Sequence, residues 1–311
     1  MHITKAVIPC GGLGTRFLPI TKALPKELLP IVDMPGLSYI VEEAAKSGIT
    51  DVLLVLGENK DAIKRYFARD TALIDMLQKS GKVELAELVR GVDFGLNIAY
   101  AYQPQPKGSA DAVYLAKSFT GGEPFCLAWG DDVICADPPV MKQLIEAYKM
   151  AGASIAGAQY FAGDSIVKYG VAKLIVDVAG GEKECGAIDG HECGLADIKR
   201  LKKCVGFVEK PPLDKIPSRY AALGRYVLTE EIYGEIEKLS PNRGELQLTD
   251  ALNALCERGR GYVYDFVGKR YDCGDKLGYV KATVEYALKR EFGGELLEYL
   301  MELVKDREIR E

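Results

Sequence analysis

Residues 9–30 read PCGGLGTRFLPITKALPKELLP and follow directly on the apolar run KAVI at 5–8. Three glycines and four prolines in 22 residues break both helical and strand periodicity. The stretch also carries Arg16, Lys22 and Lys26 against a single acid, Glu27. A short buried strand feeding a long, stiff, cationic loop predicts an α/β fold with an anion site at the carboxyl end of its first strand. Glycines let backbone N–H groups approach phosphate, and the basic side chains neutralise it. Two familiar phosphate motifs fail here. Gly14-Thr15-Arg16 lacks the Gly-Lys-Ser/Thr of a Walker loop, and a dinucleotide fingerprint needs glycine where Phe17 stands. The plain alternative is a tight surface turn with solvated cations.

Working outward, strand-like and helix-like segments alternate. KAVIP, DVLLVLG (51–57), LNIAYAYQ (96–103) and PFCLAWGDD (124–132) are strand-like. LSYIVEEAAKSGI (37–49), NKDAIKRYFARD (59–70), GSADAVYLAKSF (108–119) and PPVMKQLIEAYKMAG (138–152) are helix-like. This alternation predicts a mainly parallel, Rossmann-like sheet flanked by helices. Residues 71–92 form a helical insertion. Beyond Ala153, ASIAGAQYF, YGVAKLIVD, CVGFVEKP and YAALGRYVL crowd strands together, predicting an antiparallel extension. GELQLTDALNALCERG (244–259) returns to helix, with Glu245 in its first turn, and two helices follow residue 275. The expected organisation is a single domain over 1–311: a half carrying the anion loop (1–150), a second ligand-binding half (151–274) and C-terminal helices (275–311).

Composition narrows the function. A net charge of −5 leaves no basic excess for nucleic acid. No apolar run reaches the length of a membrane span, and MHITKAVIPCGG lacks the pattern of a signal peptide. The expectation is a cytoplasmic protein that binds neither nucleic acid nor membrane. Eight cysteines include no Cys-x-x-Cys pair. Cys185, His191, Cys193 and Cys204 lie in a glycine-rich stretch whose spacing matches no standard zinc pattern; small buried hydrophobes or reduced thiols are the simpler reading.

GGLGTRFLPITKALPKELLPIVDMP resembles the signature of the sugar-1-phosphate nucleotidylyltransferases, and within them the bacterial-type UTP–glucose-1-phosphate uridylyltransferases. The likeness continues in order through YGV (169–171), VEKP (208–211), GRYVL (224–228), GELQLTDAL (244–252) and YDCGDKLGYVKATVEYALKR (271–290). It implies a nucleotidyltransferase fold, with 1–150 as the nucleotide-binding half and 151–274 as the sugar-binding half, and attack by glucose 1-phosphate on the α-phosphorus of UTP, giving UDP-glucose and pyrophosphate. It further implies that Gly11, Gly12 and Gly14 cradle the nucleotide beside Glu27, while Arg16 and Lys26 act catalytically on the triphosphate. Gln103 and Gly108 are implied in base binding, Gly170, Glu209 and Lys210 in sugar-phosphate binding, and Asp131 and Asp272 in binding Mg²⁺. Carboxylates at strand ends suit that ion, although Gly-Asp-Asp and Asp-Cys-Gly-Asp are also good turn formers. A dimer or tetramer is implied as well.

This chain departs from that pattern at Gly108-Ser109-Ala110-Asp111-Ala112, where uridylyltransferases usually read Gly-Leu-Gly-His-Ala, and in the expanded stretch 180–204. A thymidylyltransferase, a uridylyltransferase for another hexose 1-phosphate, and a non-catalytic sugar-nucleotide-binding regulator stay open.

Overall fold

The computed structural model describes residues 2–175, 198–241 and 244–308, with side chains to 306. Cys185, His191, Cys193 and most of the expanded stretch therefore lie outside the described residues. The strands are β1 (Lys5–Cys10), β2 (Pro30–Ile31), β3 (Met34–Pro35), β4 (Asp51–Gly57), β5 (Asn97–Gln103), β6 (Phe125–Ala128) and β7 (Asp132–Cys135). They continue as β8 (Ser154–Tyr160), β9 (Gly170–Leu174), β10 (Leu201–Glu209), β11 (Tyr220–Leu228), β12 (Gly261–Asp265) and β13 (Lys269–Asp272). The helices are α1 (Gly36–Lys46), α2 (Asp61–Phe67), α3 (Thr71–Lys79), α4 (Val83–Arg90), α5 (Ser109–Tyr114) and α6 (Lys117–Thr120). After them come α7 (Val140–Ala151), α8 (Glu231–Ile236), α9 (Leu248–Glu257), α10 (Lys276–Ala287) and α11 (Gly293–Glu308).

One sheet, ordered β5-β4-β1-β6-β11-β8-β12-β10-β9, runs through both halves of the sequence. Strands β5, β4, β1 and β6 are mutually parallel, whereas β10 and β11 run against the others. The strands are apolar on both faces because both faces are covered. Ala6 and Ile8 of β1 pack with Leu37, Ile40 and Val41 of α1 and Leu144 of α7. Val7 between them joins Val113 of α5, Ile232 of α8 and Leu252 of α9 on the opposite side.

Several elements differ from the sequence expectation. Residues 124–132 are not one strand: β6 ends at Ala128, Trp129–Asp131 turn, and β7 restarts at Asp132 to pair with β13. The run 108–119 divides into α5 and α6, and the insertion at 71–92 is a helical pair, α3 and α4, packed on each other. Glu245 lies upstream of α9, which begins only at Leu248, so it occupies no helical turn. The loop after β1 holds three single 3₁₀ turns (15–17, 20–22 and 26–28), the most helix its prolines allow.

Candidate active site

Four parallel strands end at the same edge of the sheet, which brings Cys10, Gly57, Gln103 and Ala128 together. The segments leaving β1, β5 and β6 build a cleft of about 240 Å³, bounded also by Gly108, Ser109 and Glu245. Gly11, Gly12, Lys26, Glu27, Gln103, Gly108 and Asp131 all line it. Gly14 does not; at φ +67° it turns the loop, and its carbonyl accepts the Thr21 hydroxyl at 2.8 Å.

Lys26 Nζ pairs with Asp131 Oδ2. Burial opposes the charge on Lys26, yet Asp131 and Glu27 outweigh it and hold the amine above its ordinary range. Burial likewise opposes the Asp131 carboxylate, but Lys26 keeps its carboxyl below the usual value. Glu27, 2% exposed, is occupied differently from the expectation of a nucleotide contact: both its oxygens accept Lys60 Nζ, at 2.7 and 2.8 Å. The same amine donates to the Gly12 carbonyl at 2.7 Å, so this buried pair ties the glycine turn to the lysine turn. Sequence reading missed Lys60. A cation entering a helix is disfavoured by the helix dipole, and Lys60 directly precedes α2, which is the one available hint that it serves something else.

A second, larger cleft of about 680 Å³ is lined by Arg16, Lys168, Tyr169, Lys210, Arg270 and Asp272, among others. Arg16 therefore sits apart from Lys26, and its guanidinium donates to Gly274 O at 3.1 Å. Glu209 and Gly170 face each other across the β9–β10 ladder at the rim. Glu209 lies 3.7 Å from Lys210 Nζ and accepts Thr249 Oγ1 at 3.3 Å. Arg270, also missed, bonds Asp132 and stands 3.5 Å from Asp272. Burial, with Asp131 and Asp272 nearby, raises the Asp132 carboxyl to about 6 despite Arg270.

The two clefts meet at the acids. Antiparallel pairing of β7 with β13 sets Asp272 opposite Asp132, and Cys273 N–H donates to Asp131 O at 2.9 Å. A Cβ on Gly274 would stand 2.6 Å from Asp131 Oδ2 and 3.2 Å from Asp272 Oδ1, so glycine leaves open the space between the carboxylates. Among the described residues no group of three or more His, Cys, Asp or Glu side chains could hold a metal. Two hard carboxylates fit an ion that completes its shell with phosphate oxygens and water. Behind them, Arg225 (0% exposed) pairs with Glu43 at 2.7 Å and donates to Asp132 O at 2.8 Å, fixing the turn that carries Asp131 and Asp132.

A parallel-edged α/β sheet with an amine, a glycine turn and two converging acids at its carboxyl edge defines a phosphate-handling enzyme class. A family model described as nucleotidyl transferase matches residues 5–289. The chain belongs to that nucleotidyl transferase family. It is 44% identical to a UTP–glucose-1-phosphate uridylyltransferase of Staphylococcus saprophyticus, over 97% of this chain and 98% of that one. It is 41% identical to the Bacillus subtilis protein of the same name, over 99% of both. Among solved structures, a UTP-bound UGPase from Acinetobacter baumannii superposes with a TM-score of 0.84, at 31% identity, over 97% of this chain and 100% of that chain. A UDP-glucose pyrophosphorylase complexed with UDP-glucose gives 0.78 at 33% identity, over 93% and 100%.

Proposed function

We propose that the chain transfers UMP from UTP to glucose 1-phosphate, releasing pyrophosphate and forming UDP-glucose. The observation that carries this reading is the junction of the two clefts at Asp131, Gly274 and Asp272. One cleft offers a glycine turn, a buried amine and an amide; the other offers Arg16, Lys210 and Arg270. The whole-length likeness to named uridylyltransferases supports the same substrates.

In this reading Gly11, Gly12 and Gly14 shape the turn around the nucleotide, with Glu27 holding that turn through Lys60. Gln103 and Gly108 take the base. Lys26 meets the triphosphate and stabilises the departing pyrophosphate. Arg16 and Lys210 draw in the sugar phosphate, and Glu209 with the Gly170 backbone receives the sugar hydroxyls. Residues 1–150 thus hold one substrate and 151–274 the other, within one domain. The reaction joins two anions in line, so positioning and charge neutralisation carry the rate. Asp131 and Asp272 would hold Mg²⁺, which would supply neutralisation of the charge that builds up on the reacting phosphates. The reaction needs neither histidine nor a covalent nucleophile.

Among the described residues no helix is long and apolar enough to cross a membrane. The proposed setting is the cytoplasm, without nucleic-acid or membrane partners. Exposed Leu297, Tyr299, Met301 and Val304 on α11 support a dimer or tetramer. The test is pyrophosphate release with glucose 1-phosphate and each of UTP, dTTP, ATP and GTP, with and without Mg²⁺. Mg²⁺-dependent release that is fastest with UTP is expected. Preference for dTTP would move the assignment to thymidylyl transfer, and no release with UTP would overturn it.

A further inference from the structure

Asp111 stands where the sequence departs from the uridylyltransferase pattern, and it does something specific to Gln103. The Gln103 side chain is 6% exposed. Its Nε2 donates to Asp111 Oδ2 at 2.7 Å and to Gly108 O at 3.2 Å. A carbonyl accepts only, and so does an ionised carboxylate. The group facing them must therefore be the NH₂, and both its protons are spent. The amide cannot be flipped without opposing oxygen to oxygen twice. Its oxygen is left on the other side, toward Gly11, where a Cβ would stand 2.9 Å from Oε1. Gln103, Gly11 and Gly108 line the same cleft.

We propose that Asp111 is a specificity-determining positioning residue: it locks Gln103 so that its amide presents only the acceptor oxygen to the base. The inference rests on the uridylyl-transfer reading and deepens it. Uracil and thymine carry an imide N3–H that donates to such an acceptor. Cytosine carries a lone pair at N3, which sets two acceptors face to face. Leaving such a buried pair unmatched costs about 1–3 kcal/mol, which is roughly 5- to 150-fold in relative kcat/KM. Asp111 thus separates UTP from CTP, and leaves UTP and dTTP, which share the imide, undivided. Ser109, whose Oγ accepts the Leu248 N–H at 2.9 Å, is engaged with α9 and plays no part in this lock.

The test compares wild type, Asp111→Asn and Asp111→Leu with UTP and CTP. It measures kcat and KM for pyrophosphate release, and binding of each nucleotide by calorimetry. Wild type is expected to prefer UTP. D111L, which removes the acceptor, should lower the UTP:CTP ratio at least about fivefold, chiefly through the nucleotide KM. D111N, of the same shape but able to accept or donate, should fall between; it carries the test alone if D111L does not fold. A general loss of structure would lower both nucleotides together and leave the ratio unmoved. A wild type that turns over UTP, with variants that keep its ratio, overturns the inference and leaves the proposed reaction standing. A wild type that binds UTP over CTP, loses that preference in the variants and yet releases no pyrophosphate does the reverse. Equal wild-type affinity for the two nucleotides overturns the inference.

Discussion

Replacing Lys60 with methionine tests the architecture beneath the glycine turn. Lys60 is 6% exposed and Glu27 2%, so neither charge has water to fall back on. Removing one member of such a pair costs about 3–5 kcal/mol, because the remaining charge is stranded. At roughly 2 °C per kcal/mol for a chain of this size, Tm should fall by about 6–10 °C. The effect reaches the chemistry too. Burial raises the Glu27 carboxyl, with Lys60 and then Lys26 as its main counterweights. Without Lys60, Glu27 draws Lys26 away from Asp131, and Gly12 O loses its 2.7 Å donor. The nucleotide KM should therefore rise and kcat should drop about tenfold or more, a loss of at least 1.4 kcal/mol in the transition state. The double variant Lys60→Met with Glu27→Gln removes the stranded charge and should recover more than half of the lost Tm and much of kcat. Melting curves and steady-state kinetics on the three proteins decide the matter. A single variant losing under 1 kcal/mol, or a double variant no better than the single, would refute this account of the pair.

Lys26→Ala should leave Tm within a few degrees of wild type while lowering kcat by at least 10³-fold; wild-type turnover would remove the central assignment. Gly274→Ala puts a methyl between the two carboxylates, so the Mg²⁺ concentration for half-maximal rate should rise at least tenfold with little change in the UTP KM at saturating metal; an unchanged metal requirement would place the ion elsewhere. The Lys26–Asp131 pair also predicts a pH signature. Asp131 lies below its unfolded value of about 3.9, so its stabilisation is present above that pH and lost as pH falls through the folded value. Lys26 lies above about 10.4, so its stabilisation is complete below that pH and lost as pH rises through its folded value. In Lys26→Met the Asp131 carboxyl loses its counterweight to burial and rises, so the Tm advantage of wild type should narrow as pH falls and the variant's carboxylate takes up a proton, while staying undiminished toward pH 9; a difference that shrinks by pH 9 would contradict the raised lysine.

The parallel half of the fold was legible because its signals are local. Within DVLLVLG, Val52–Leu56 is an unbroken apolar run of five residues, and a strand buried on both faces must look like that. The break at Trp129–Asp131 left only the turn-forming Gly130-Asp131-Asp132, which also suits the end of a strand. Phe125–Ala128 is buried throughout and Asp132–Ile134 is buried again, so burial resumes directly after the turn, in a strand that pairs with β13 and not with the main sheet. The antiparallel direction of β10 and β11 was legible in strands crowded together without helices between them, but their neighbours in the sheet were hidden, since pairing depends on contacts far away in sequence. Local pattern misled at Glu245: an acid just before an apolar repeat suggests a helix start, but backbone bonds between Leu246 and residues 107 and 110 hold that segment extended across the cleft.

At the site, residue types were legible and their partners were not. Arg16 and Lys26 share one loop and one sign, which suggested a common target, yet the loop turns between them and delivers them to different clefts. The separation has a physical consequence. Lys26 is committed to Asp131, and Arg270 to Asp132 and Asp272, whereas among the described residues the Lys210 amine makes only the loose contact with Glu209. Each committed cation is thereby kept ionised and in place without a substrate, and an arriving phosphate exchanges one oxygen partner for another rather than stripping a cation of water. Such preorganisation favours charge that develops during reaction. Composition records the cations and acids of this site, but only the fold decides which of them hold one another until the anions arrive.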